Sequence, residues 1–149
     1  MSKRHRSRRL ALQALCCLDV QGLKSLDLVR EFIMDSDDPL DTRVTAREFL
    51  DGVLDNRDGC DQLLSRHAKH WSLSRLALVD RNILRLAVHE LRQGQSPKKV
   101  VINEALVLAQ EFSTTESPRF INGVLDAVSR EIAPSRGDEP PPNPQPPQA

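Results

Sequence analysis

The sequence predicts an all-α fold: seven helices with short joins, followed by a disordered, proline-rich tail. Three observations carry this. Apolar residues recur three and four apart in seven successive segments, which puts them on one face of a helix. No segment alternates strictly between apolar and polar residues, as a half-buried strand would. Proline, glycine, serine and aspartate fall between the segments, where helices start and stop. At 149 residues the chain can bury one hydrophobic core without disulfide or metal staples. The predicted layout is a basic N-terminal arm over 1–7, a helical domain over 8–133 and the tail over 134–149.

The first helix runs from Arg8 to a stop at Gly22. It turns Leu10, Ala11, Ala14, Leu15 and Leu18 inward and carries Arg9, Gln13 and Cys16 on another face. Ser25 is placed to cap a second helix with Leu28, Val29, Phe32 and Ile33. Asp38 and Pro39 read as N-cap and first helical residue of a third, through Ala46, Leu50, Val53 and Leu54. A fourth covers Asp58 to His70, with Leu63 and Leu64 inward; its join to the third is left open. Trp71-Ser72 marks a break. The fifth helix carries Val79, Ile83, Leu86, Ala87 and Leu91 and stops at Gly94. The sixth follows Pro97 with Val101, Ile102, Ala105, Leu108, Ala109 and Phe112. Ser117-Pro118 opens the seventh as cap plus proline. Residues 134–149 then hold seven of the ten prolines and no apolar period. That composition fits a solvated tail or a ligand for a proline-recognising domain.

Basic and acidic residues both number 21, so the formal net charge is zero. The distribution is uneven. Residues 1–9, MSKRHRSRR, hold five basic residues and no acid, whereas the other 140 hold 16 basic and 21 acidic. A basic arm on a mildly acidic body suggests an anionic partner such as nucleic acid; the plainer account is a solubilising terminus. No apolar run approaches the ~20 residues of a membrane span, and no signal peptide opens the chain. A cytoplasmic location is expected.

The stretch RFINGVLD, residues 119–126, poses a local conflict. Asn-Gly between apolar residues is a hairpin signal. Yet Phe120, Ile121, Val124, Leu125, Val128 and Ile132 fall in one helical stripe, so helix is the reading. Asn122 and Gly123 then lie off that stripe, although both are poor helix formers. Two explanations stand: a neighbouring element packs on the bare face, or something outside the domain approaches it. A helix N-terminus with unpaired N–H groups would suit phosphate. Phe120 is either core or a stacking platform for an unpaired base, with Arg119 on phosphate.

Other chemistry is thin. Adjacent Cys16 and Cys17 suit neither a disulfide nor a usual zinc spacing. Cys60, His67 and His70 lack a fourth ligand, so polar surface residues are preferred to a metal site. Glu90 falls inside the apolar stripe of the fifth helix. It should be held in an ion pair from another segment; no base, nucleophile or metal set accompanies it to make a catalytic acid.

Four pieces in series are quite specific together: RRLALQAL, VDRNILRLAVHEL, PKKVVINEALVLAQEF and SPRFINGVLD. Over residues 6–132 the chain resembles the bacterial transcription antitermination factor family NusB. The resemblance implies two packed helical sub-bundles, no enzymatic activity and no cofactor. It implies pairing with the small-subunit ribosomal protein NusE and binding of the single-stranded boxA element of nascent ribosomal RNA. It also implies work within the transcription elongation complex, promoting read-through; whether the free protein forms a homodimer stays open. Carried onto this chain, the RNA-binding residues are Arg4, Arg6, Arg8 and Arg9, with Gln13 and Cys16 on the first helix. Glu116, Ser117, Arg119, Phe120 and Asn122 join them from the start of the last helix. Asp80 and Arg81 match the region for the ribosomal partner. Family members often have Tyr where this chain has Cys16, and the proline tail extends past the family's usual end. Two other readings compete. One is a stand-alone module related to the N-terminal domain of RNA cytosine methyltransferases, whose cofactor domain has no counterpart here. The other is a helical protein-binding module that never touches RNA.

Overall fold

The computed structural model describes residues 3–68 and 72–132. Seven α-helices lie among them: α1 (Lys3–Gln21), α2 (Leu26–Met34), α3 (Leu40–Asp55), α4 (Arg57–His67), α5 (Leu78–Gln93), α6 (Lys98–Phe112) and α7 (Ser117–Ile132). Single 3-10 turns precede α2 and α5. Helices α1, α2 and α3 pack as one group and α4 to α7 as another, and α5 touches both. This is the fold class read from the helical periodicity.

The central position of α5 explains its composition. Every residue from Asn82 to Leu91 is buried, polar ones included. Ile83, Leu84, Leu86 and Val88 join Leu50, Leu64, Leu108, Ile121 and Leu125 in the core. Each such side chain contributes about 1.5–3 kcal/mol by leaving water. The helix ends at Gly94, whose φ of 69° is left-handed and whose N–H donates to the Glu90 carbonyl at 3.1 Å. A side chain there would be strained, so glycine sets the stop.

Several local expectations shift. Residues 3–7, expected as an arm ahead of the domain, are instead the first turns of α1. Side-chain partners on other helices hold them there, and no local periodicity announces those partners. Ser25 does not cap α2; its hydroxyl donates to the Gly22 carbonyl. The third helix starts at Leu40, one residue after the expected proline, with Pro39 rather than Asp38 at the cap position. Asn56 separates α3 from α4, which ends at His67. Trp71, His70 and the tail over 134–149 lie outside the described residues. Leu28 and Phe32, expected inward on α2, are exposed, and only Val29 and Ile33 of that helix are buried.

Candidate nucleic-acid interface

The basic first half of α1 is bound into the molecule. Arg8 is 2% exposed and grips Glu90 with both ends of its guanidinium, Nε to Oε2 and Nη2 to Oε1, each at 2.7 Å. Its Nη1 also reaches Glu104 at 3.4 Å. This is the inter-segment ion pair that the apolar setting of Glu90 demanded. His5 sits between Glu104 (2.7 Å from Nδ1) and Glu111 (3.1 Å from Nε2), both on α6. Lys3 pairs with Asp41, and Arg6 lies 3.7 Å from Asp38. Arg8 therefore cannot present its charge to RNA as the resemblance implied; it fixes α1 against α5 and α6.

The remaining arginines point elsewhere. Arg4 lies over the Phe49 ring at 5.2 Å. Arg9, on another face, lies over Phe112 at 5.4 Å. Phe112 is the last residue of α6, so this contact sets α1 beside the turn into α7. Gln13 is exposed one turn further on, and Cys16 is half-buried after it. Burial first, then the Asp19 carboxylate, pushes the Cys16 thiol up to about 11, so it stays a thiol in neutral solution.

The turn between α6 and α7 is built around one carboxylate. Asp80, from the first turn of α5, accepts from Ser113 Oγ at 2.6 Å and from Ser117 Oγ at 2.8 Å. Thr114 and Ser117 hydroxyls meet at 2.9 Å. The expected docking residue Asp80 is thus buried, and so is Ser117. Arg81 is half-buried and binds Asp19 at 2.9 Å. Asn82 and Arg85 also reach that carboxylate, at 2.9 and 3.3 Å. Burial pushes Asp19 upward, but the hydrogen bonds of Asn82 and Arg81 and the charges of Arg81 and Arg85 outweigh it. The carboxyl is held below its usual range.

Beyond this clamp, Glu116, Arg119, Asn122 and Gly123 are exposed. The helix reading of RFINGVLD holds, since these residues lie within α7. A Cβ added at Gly123 meets nothing within 4 Å, so among the described residues no neighbouring element packs on the bare face. Phe120 combines its two readings: it is half-buried against the core and also borders a groove of about 230 Å³ with Arg75, Leu76, Asp80 and Glu116. Sequence reasoning missed Phe112 and Ser113, which join α1 and α5 to this turn. Phe112 read only as the last apolar position of its helix; nothing local marks Ser113.

Among the described residues no group of His, Cys, Asp and Glu is arranged to hold a metal. Cys60 is buried, and His67 Nε2 lies 2.7 Å from Glu131. No described helix is long and apolar enough to cross a membrane.

This arrangement of helices and of motifs along them has known counterparts. The NusB family matches residues 5–130. The chain belongs to the NusB family. Transcription antitermination protein NusB of Solibacter usitatus is 40% identical over 134 residues, covering 89% of this chain and 92% of that one. T. maritima NusB superposes with a TM-score of 0.80 at 36% identity, over 86% of this chain and 91% of that chain. A chain from the crystal structure of antitermination factors NusB and NusE in complex with dsRNA gives 0.78 at 26% identity, over 88% and 98%. The family is one of non-enzymatic, RNA-binding transcription antitermination factors.

Proposed function

We propose that this protein is an RNA-binding antitermination factor. It pairs with a NusE-type ribosomal protein and holds a boxA-like single-stranded segment of nascent RNA, so that the elongation complex reads through terminators. The observation that carries the reading is the join of α1 to the α6–α7 turn. Arg9 on Phe112 ties the helix that bears Gln13 and Cys16 to the end of α6, where the chain turns into α7 with its exposed Arg119, Asn122 and Gly123. Glu116 and Phe120 border the same turn, and the Phe120 ring offers one stacking surface. Arg4 and Arg6 add positive potential near the start of α1, while Arg8 and Ser117 position these elements from inside. A family relative solved with NusE and double-stranded RNA supports both partner classes.

The test is fluorescence anisotropy with a boxA-like RNA, with and without NusE, over a salt series. Phosphate contacts release counterions, so affinity should fall steeply with salt and rise when NusE is present. A protein that binds NusE but no RNA under either condition is a protein-binding module instead.

A further inference from the structure

Helix α2 carries more apolar surface than the core uses. Val29 and Ile33 are buried, and Leu26 and Met34 pack partly against the core. Leu28 and Phe32 turn away from it and are 69% and 49% exposed. One helical turn apart, they form a single apolar face. Val20 and Leu23, on the approach to α2, are exposed too, so four of the seven large exposed hydrophobics among the described residues fall within residues 20–32. Such a cluster, unlike single exposed apolar residues, marks an interaction site.

An acidic row flanks this face. At ~100° per residue Asp27, Glu31 and Asp35 run along α2 directly beside Leu28. All three are exposed, and their carboxylates have no partner among the described residues. Neighbouring carboxylates do find cations: Asp51 meets Arg30 and Arg47, and Asp38 lies near Arg6. Like charges four apart repel along a helix, and Glu31 and Asp35 also stand at the negative end of the α2 dipole. The last turn of α2 has no basic residue to offset them. The row is therefore unfavourable in the free protein, and an approaching cation relieves it.

We propose that this face docks an amphipathic segment of a partner protein, with apolar side chains for Leu28 and Phe32 and lysine or arginine for the acidic row. Charge sets this occupant apart from the others. A second copy packed through α2 about a two-fold axis would bring two acidic rows together. The proline-rich tail, with Arg136 against Asp138 and Glu139, has no excess of positive charge. RNA is an anion and is repelled by the same row, so the inference stands independently of the RNA-binding reading above.

The test titrates the full chain with a synthetic lysine–leucine peptide patterned as an amphipathic helix, followed by amide NMR. A peptide of the same composition with leucine spread around the helix is the control. Saturable shifts at Leu28 and Phe32 are expected with the patterned peptide alone. Leu28→Ser with Phe32→Ser, at exposed positions, should keep the melting temperature and weaken binding about ten-fold, as loss of apolar contact area does. Asp27→Asn with Glu31→Gln and Asp35→Asn should remove most of its salt dependence. Asp58→Asn, an exposed acid on α4, should leave binding unchanged. Equal titrations for the two peptides, no shift at α2, or binding that the α2 variants leave intact overturn the proposal. Self-association in sedimentation that the Leu28 and Phe32 variant abolishes makes a second copy the occupant and overturns it as well. A change in the amide signals of residues 134–149 in that variant, with no peptide present, does the same in favour of the tail.

Discussion

The start of α1 and the start of α7 make opposite use of charge. The first holds five cations within nine residues, yet Arg8 is paired to Glu90 in the interior, and Lys3 and Arg6 are paired to Asp41 and Asp38 nearer the surface. The second has a single arginine in its first turns, yet Arg119, Asn122 and Gly123 are exposed, and among the described residues nothing stands over Gly123. A count of basic residues therefore misjudges which region can meet an anion. Availability is set by partners on other helices, and the least charged of the two regions is the more open.

Removing one half of the buried pair should have the largest effect. Arg8→Ala leaves the Glu90 carboxylate buried without its partner, which costs about 3–5 kcal/mol. Urea denaturation should show a loss of that size for Arg8→Ala. A variant as stable as the parent would mean that α1 is not held this way.

The two helical glycines sharpen the contrast. Gly52→Ala drives a methyl into His89 and should destabilise by about 1–3 kcal/mol, as overpacked cores do. Gly123→Ala meets open space and should stabilise by about 0.5–1 kcal/mol, because alanine is the better helix former. The same exchange should weaken RNA binding if RNA lies on that face. Opposite signs in thermal melts are the expected result; equal losses would put a neighbour on Gly123.

Much of the fold was legible because helix periodicity is local. The apolar stripes of α5, α6 and α7 gave their inward faces, and Gly94 gave a stop that its positive φ explains. The demand of Glu90 for a partner was also legible, since a carboxylate among apolar residues has few options. Which residue answered was not, because Arg8 is 82 positions away. The same distance problem hid the roles of Asp80 and Arg81. Both were singled out only as matching the region for the ribosomal partner, yet Asp80 ties Ser113 to Ser117 and Arg81 binds Asp19. The helical placement of Phe120 and Asn122 was readable because the apolar stripe of α7 is local.

Smaller effects separate two cations of the proposed surface, half-buried Arg9 and exposed Arg119. Arg9→Ala and Arg119→Ala should each lower the salt slope of RNA binding by about one, as loss of one phosphate contact does. Arg119→Ala should leave stability within about 0.5 kcal/mol, as exposed substitutions usually do. A salt slope unchanged in both variants would remove phosphate contacts from this surface.

The smallest predicted effect concerns acid. The Asp19 carboxyl titrates lower in the fold than in the unfolded chain, so its contribution is present above the unfolded value of about 4. It is lost as pH falls through the folded value, because the unfolded state then binds the proton more readily. Asp19→Asn should flatten that part of the stability profile, read by urea titrations at successive pH values. A profile unchanged in the variant would detach Asp19 from Arg81 and Arg85.

The most direct measurement is amide chemical-shift mapping of the full chain with NusE and a boxA-like single-stranded RNA. The account predicts RNA-dependent shifts at Arg9, Gln13, Arg119, Asn122 and Gly123 together. Shifts confined to α2 and α4, with those residues unmoved, would contradict it.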